Sequence, residues 1–224
     1  MPVEVICVQE PTDAQFDQLV KILLKAFAKD VVVQSMSGGN AELAREGTQA
    51  IYRAGFLEGC VLLAVDSASK DLLGVALGFG PGNGLYMTEA QRALGFDAVS
   101  AKYTDEMKQW WGEFIQQSRK LKEDTVGSDR ILQSWYADNI ATDPARQGRG
   151  VGTALVKALC EKAKEDGVPL FLNAMTESNV AWYKKLGFEA KGTREFTALG
   201  SLGGEKCQST LLVWEDSPKK QAAK

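Results

Sequence analysis

Apolar positions along this chain recur in two rhythms. Val3 to Val8 alternates weakly and is rich in β-branched residues, which predicts a strand. Phe16, Leu19, Val20, Leu23 and Phe27 then follow the spacing of one helix face, up to about Lys29. Thr12 and Gln15, behind Pro11, match a capping box at its start. A Ser-Gly-Gly-Asn break at 37–40 precedes a second helix expected from Ala41 to Leu57, with Leu43, Ala50, Ile51 and Ala54 inward. Cys60 to Val65 and Leu72 to Phe79 read as two strands joined in a hairpin by the polar stretch Asp66 to Asp71.

Gly78, Gly80, Gly82 and Gly84 punctuate the exit from that pair. A helical region is expected over roughly 88–120, with Tyr103, Met107, Trp110, Trp111 and Phe114 on one stripe. Such a stripe is usually core, yet adjacent tryptophans face different ways, and one of them is expected over an acceptor site. Lys122 to Arg130 is polar and reads as a loop. Ile131 to Ala141 reads as a strand whose alternation breaks near Asp138. A turn at Thr142 to Gly148 leads into a helix from about Arg149 to Asp166, with Gly167 as its cap. The strand Leu170 to Ala174 and a helix from Ser178 to Leu186, ended by Gly187, come next. Strands Phe188 to Thr197 and Gln208 to Glu215, linked by glycine-rich 200–204, close the pattern. Hairpins and helix crossovers both appear, so an α/β (α+β) class is expected, a mixed sheet with helices on its faces.

Composition narrows the function. The chain has 224 residues, 45% hydrophobic and 25% charged, with net charge −3, which fits one large soluble domain or one domain with an insertion. No basic face suggests nucleic acid. No window approaches 18 uncharged apolar residues, and the first ten residues lack a basic start and a long apolar stretch. Neither a membrane span nor a secretory signal is expected, and the reading is cytoplasmic. Lys219, Lys220 and Lys224 read as part of a solvated tail over 217–224. Cysteines 7, 60, 160 and 207 have neither metal nor redox spacing and are expected as reduced, mostly buried thiols. There is no histidine, so Ser-His-Asp, Cys-His and histidine-zinc chemistry are excluded, and no metal site is expected. Proton transfer is left to carboxylates, tyrosine, cysteine, lysine, backbone or water.

Candidate chemistry gathers in one string, residues 138–153: Asp-Asn-Ile-Ala-Thr-Asp-Pro-Ala-Arg-Gln-Gly-Arg-Gly-Val-Gly-Thr. Pro144 marks a turn after the strand, and Gly148, Gly150 and Gly152 alternate as a helix begins. Glycines let the backbone curl and let an anion approach the amides, and free N–H groups at a helix start suit a pyrophosphate. Three glycines alone also fit a helix start with no ligand. The string lacks the dinucleotide spacing and the Gly-Lys-Ser/Thr of a phosphate loop.

The string resembles the cofactor motif of the GNAT superfamily of N-acetyltransferases, Gln/Arg-x-x-Gly-x-Gly/Ala. Here it stands as Gln147-Gly148-Arg149-Gly150-Val151-Gly152, after the strand Trp135 to Thr142. The family's later Asn and Tyr, in a helix ending at Gly-Phe, are matched by Asn179, Tyr183, Gly187 and Phe188. The match is best over 131–190. The resemblance implies a mostly antiparallel GNAT-like sheet, in one domain over 1–216 with a helical insertion at about 81–130. It implies acetyl-coenzyme A as cofactor, its pyrophosphate held by amides from Gln147 through Gly152 with Thr153, and Arg146 and Arg149 adding charge. Ile140, Ala141 and Thr142 would pair with the pantetheine arm, and Asn179 would contact the cofactor.

Acetyl transfer needs a neutral amine, and a lysine-like amine with pKa about 10.4 is neutral only about once in 10³ at pH 7. Tyr183 is the candidate acid for the departing thiolate, its bland alternative being a core tyrosine. Asp138 is the candidate base, its alternative a surface carboxylate, and water relays serve in many members of the family. A strand N–H near Ile140 is the family-like oxyanion donor. The expected activity is N-acetylation of a small-molecule or peptide amine, by a monomer or homodimer. A non-catalytic acyl-coenzyme A-binding module is the rival reading.

Overall fold

The computed structural model describes residues 2–216, so the tail expected at 217–224 lies outside the described residues. The elements run β1 (Val3–Val8), α1 (Asp13–Ala26), α2 (Val31–Ser37), α3 (Ala41–Glu58), β2 (Cys60–Asp66), β3 (Leu72–Phe79), α4 (Glu89–Ala93) and α5 (Phe96–Ser100). They continue with α6 (Asp105–Thr125), α7 (Ser128–Leu132), β4 (Trp135–Thr142), α8 (Val151–Glu165), β5 (Leu170–Ala174), α9 (Glu177–Lys185), β6 (Glu189–Thr197) and β7 (Lys206–Trp214). No helix among the described residues is long and apolar enough to cross a membrane.

All seven strands form one sheet in the order β1-β2-β3-β4-β5-β7-β6. Its pairings are antiparallel except β4 with β5. The expected mixed, mostly antiparallel class is therefore what forms. β3 is buried along its whole length because helices cover both faces, which is why its sequence is a near-continuous apolar run. On one face α8 lays Val151, Leu155, Leu159 and Ala163 onto β2 to β5. On the other, Leu19, Val20 and Leu23 of α1 and Tyr52 of α3 meet Leu63, Val75 and Leu77. Two glycines let α8 come close. A Cβ at Gly74 would stand 2.6 Å from the Ala141 carbonyl oxygen and 2.9 Å from Val151 Cγ1, and one at Gly78 would touch Leu159 at 3.0 Å.

Several expectations need correction. The first helix ends at Ala26 rather than near Lys29, and α2 occupies a stretch expected to hold no element, capped by the Asp30 carboxylate on the Val33 N–H at 3.0 Å. Lys122–Arg130 is not a loop: α6 runs to Thr125, α7 starts at Ser128, and the strand begins at Trp135 rather than Ile131. The polar residues there are the solvent face of a helix whose Leu121 is buried. Of the four thiols only Cys160 is buried, and the sulfurs of Cys7 and Cys60 lie 3.8 Å apart across β1 and β2. The capping box of Thr12 and Gln15 forms as expected.

Candidate active site

The site begins with a defect in the sheet. Leu77 of β3 pairs with Asn139 of β4, but the next residue, Gly78, pairs with Ala137, so Asp138 is the extra residue of a β-bulge. The broken alternation near Asp138 has this cause. On its other edge β4 pairs with β5 only from Trp135 to Ala137. Residues 138–142, including Ile140, Ala141 and Thr142, run on without a strand beside them on that edge. Ile140 is half-buried against the α8 face and the Ala141 side chain is buried on the opposite face.

Past β4 the chain turns through a single 3-10 turn, Pro144–Arg146, with the Asp143 carboxylate accepting from the Ala145 N–H at 3.0 Å. Gly148 and Gly150 then take φ of +74° and +81°. A Cβ at either would meet open space, so these glycines are demanded by backbone conformation rather than by crowding. Gly152 differs: a Cβ there would stand 3.4 Å from the Trp182 ring and 3.5 Å from Thr142 Oγ1. Where α1, α2, α3, α4, α6 and α9 start on a side chain that accepts from their own first turn, α8 starts on Gly150 with no side-chain cap. Among the described residues the N–H groups of Gln147 through Thr153 have no protein acceptor, and the first helical bond is Ala154 to Gly150. These donors stand at the positive end of a 15-residue helix, where negative charge is favoured. Arg149 is exposed and Arg146 half-exposed beside it, and neither forms an ion pair among the described residues.

α9 lies across the same face. The Thr176 hydroxyl caps it by accepting from the Asn179 N–H, which leaves the Asn179 side chain exposed in its first turn. Tyr183 is 8% exposed and packs between Trp182 and Phe188, at ring distances of 4.7 and 5.4 Å. Its hydroxyl makes no hydrogen bond among the described residues, and burial raises its pKa well above that of a free phenol. It therefore stays protonated across the physiological range.

Behind the bulge, on the α1–α3 face, lies a cavity with an empty volume of about 790 Å³ including its mouth. Leu23, Phe27, Met36, Ile51, Phe96 and Trp111 give it apolar walls, and Asn139 reaches it from β4. Asn139 Nδ2 donates to Asp138 Oδ2 at 2.5 Å. Asp138 keeps part of its surface open, but its surroundings are dense enough that burial raises its pKa, against the pull of that hydrogen bond and of the Lys122 ammonium. Lys122 lies 4.1 Å above the Tyr136 ring. The negative field of Asp138 reaches Tyr52 and Tyr86, and burial, the larger cause, raises both phenols further. Tyr52 is 1% exposed and its hydroxyl has no partner, a loss of about 1–3 kcal/mol unless something bonds to it. Tyr86 holds φ of +60°, a strained position for a bulky residue. Gln91 fixes it there: its side-chain oxygen accepts from the Tyr86 N–H, while its amide donates to Glu58 at 2.5 Å and to the Gly84 carbonyl at 3.1 Å.

The aromatic stripe divides as its adjacent tryptophans suggested. Trp110 is core, donating to the Thr197 carbonyl at 2.7 Å and stacking on Phe114, whereas Trp111 and Tyr103 line the cavity. Tyr52, Tyr86, Lys122 and Asn139 were missed from sequence. Tyr52 carried a faint signal, one step from the inward Ile51, and Asn139 sat in the quoted string. Tyr86 had none, since its place depends on a loop held by Gln91.

A family model described as an acetyltransferase (GNAT) domain matches residues 114–190, from the second half of α6 through β4, the turn, α8, β5 and α9. An uncharacterised N-acetyltransferase of Methanocaldococcus jannaschii is 42% identical over 55 residues, which cover 23% of this chain and 24% of that protein. The chain thus spans about a quarter of that relative's length. The peptidyl-lysine N-acetyltransferase YjaB of Escherichia coli is 29% identical over 109 residues, 46% of this chain and 72% of the relative. A Corynebacterium glutamicum structure described as a histone acetyltransferase and related acetyltransferase shares the fold, with TM-score 0.62 at 19% identity over 97% of this chain and 98% of that one. The uncapped start of α8, the interrupted β4–β5 pairing and the α9 helix all lie inside the segment that matches the acetyltransferase (GNAT) domain.

Proposed function

We propose that this chain transfers the acetyl group of acetyl-coenzyme A to a primary amine of a small molecule or peptide. The observation that carries the reading is the run of acceptorless N–H groups from Gln147 to Thr153, set beside a length of β4 that has lost its neighbour. The residues present fit the cofactor on two counts. The uncapped start of α8 suits a diphosphate, with Arg146 and Arg149 adding charge and Asn179 a polar contact at the rim. Residues Ile140 to Thr142 offer main-chain groups to the amides of a pantetheine arm in the manner of an added strand.

The cofactor supplies an acetyl thioester, and the chain's own groups supply the rest. Asp138, beside the cavity and with its pKa raised, is assigned to take the proton that the amine must lose. Tyr183, protonated throughout, is assigned to return a proton to the departing sulfur. A β4 N–H near Ile140 is the donor for the oxygen on which charge develops. We place the protein in the cytoplasm and treat about 81–130 as an insertion that shapes the acceptor side, its last turns entering the family match.

Calorimetric titration with acetyl-coenzyme A, followed by thiol release over an amine panel, tests this. The expected result is binding, followed by thiol release that depends on the amine. Binding with no transfer to any amine would favour a non-catalytic cofactor sensor. Absence of binding would end both readings.

A further inference from the structure

Resting on that reading, we infer that the acceptor is a primary amine carried on an uncharged, apolar body of aromatic size, held in the cavity enclosed by α1, α2, α3 and the α5–α6 region.

Three observations converge on this class. The chain is 25% charged, yet none of the residues lining the cavity is Asp, Glu, Lys or Arg. A second charge on the acceptor would be stripped of water with no partner waiting, which penalises polyamines and lysine-rich peptides. The walls come from flat and branched side chains, Phe27, Phe96, Trp111 and Ile51 among them, the kind of apolar lining that small-molecule sites present. Of the polar side chains that line the cavity, Tyr52, Tyr86 and Asn139 lie near Asp138, whose field reaches both phenols. Asn139 leads to Asp138, and the Tyr52 hydroxyl, sealed from water and without a partner, is available to bond an incoming nitrogen. One polar end and a long apolar remainder describe an amine whose only ionisable group is the one acetylated. Tyr86, held in its strained conformation by Gln91, also lines the cavity and lies within the field of Asp138.

Gly47 provides the decisive variant. It lies in α3, lines the cavity, and a Cβ there meets nothing within 4 Å, so Gly47→Trp adds bulk at the cavity wall with no clash at its Cβ. The experiment compares kcat/KM for 2-phenylethylamine and hexylamine with that for spermidine and a lysine-containing peptide, in wild type, Gly47→Trp and Tyr52→Phe. Wild type is expected to prefer the two apolar amines by at least tenfold. Gly47→Trp is expected to raise their KM at least tenfold, with the Kd for acetyl-coenzyme A unchanged. Tyr52→Phe keeps the volume, and is expected to raise KM more than it lowers kcat while raising Tm. Preference for spermidine or the peptide, or an unchanged KM in Gly47→Trp, overturns the substrate class and leaves the acetyltransferase reading standing. Loss of acetyl-coenzyme A binding in wild type is the separate result that removes the reading beneath it.

Discussion

Asn139 donates its side-chain amide to the carboxylate of its sequence neighbour Asp138 at 2.5 Å. Neighbours on a regular strand point to opposite faces, so this contact exists because the bulge turns both toward one side. The same defect thus supplies the candidate base, its positioning partner and the point where β4 leaves β5.

Asp138→Asn is expected to lower kcat by about 10²–10⁴-fold. In wild type, kcat/KM rises with pH as the carboxyl ionises, with a midpoint above the usual aspartate range because burial raises its pKa. Lys122→Met removes a positive charge that favours ionisation and moves the midpoint higher. Steady-state pH profiles check both, and an unchanged profile in Asp138→Asn would exclude it as the base.

The same substitution has a stability signature. The folded pKa of Asp138 lies above its unfolded value of about 3.9, so the folded chain binds more protons between the two. Its contribution favours folding below the unfolded pKa and is lost as pH rises through the folded one. Asp138→Asn is therefore expected to melt near the wild-type temperature at about pH 3.5, and above it at pH 7. Thermal melts at the two pH values measure the difference.

Gly150→Ala places a Cβ at φ +81°, a strain of about 1–2 kcal/mol. A fall in Tm of roughly 2–8 °C is expected for a chain of this size. Because the glycine sets the direction of the α8 amides, the Kd for acetyl-coenzyme A should rise at least tenfold. Arg149→Ala, at an exposed and unpaired position, should leave Tm within about 1 °C yet weaken cofactor binding most at low salt. Calorimetry at two ionic strengths separates the two effects.

Tyr183→Phe removes a hydroxyl that bonds nothing in the protein while keeping the ring between Trp182 and Phe188. Stability should change by less than about 0.5 kcal/mol. A role as proton donor predicts a loss in kcat of about 10²-fold or more with little change in KM. A packing role predicts neither.

The parts of this site that were legible in sequence are those where local backbone demands leave a compositional mark. Gly148 and Gly150 stand where φ is positive, and Asp138 interrupts an alternation because the strand bulges. The mixed sheet was legible for the same reason, each strand being bounded by turn residues. What was hidden depends on distant packing. α2 opens on three valines, a strand-like run, and is helical because Asp30 caps it and Val32 packs into a cluster with Met107, Trp110 and Leu199. The end of α6 looked like loop because only Leu121 and Thr125 face inward, Thr125 taking the space that a side chain at Gly192 would fill. The cavity gathers residues from Leu23 to Asn139, and no local spacing announces such a gathering.

Gly74 and Gly78 leave no slack between α8 and the two strands beneath it. Helix and bulged strands are thereby held at close spacing, with the uncapped N–H groups at one end of α8 and Asp138 under its middle. Adding a single methyl at Gly74 would lift the helix at its first turn and so shift those N–H groups relative to Asp138, although the glycine touches neither.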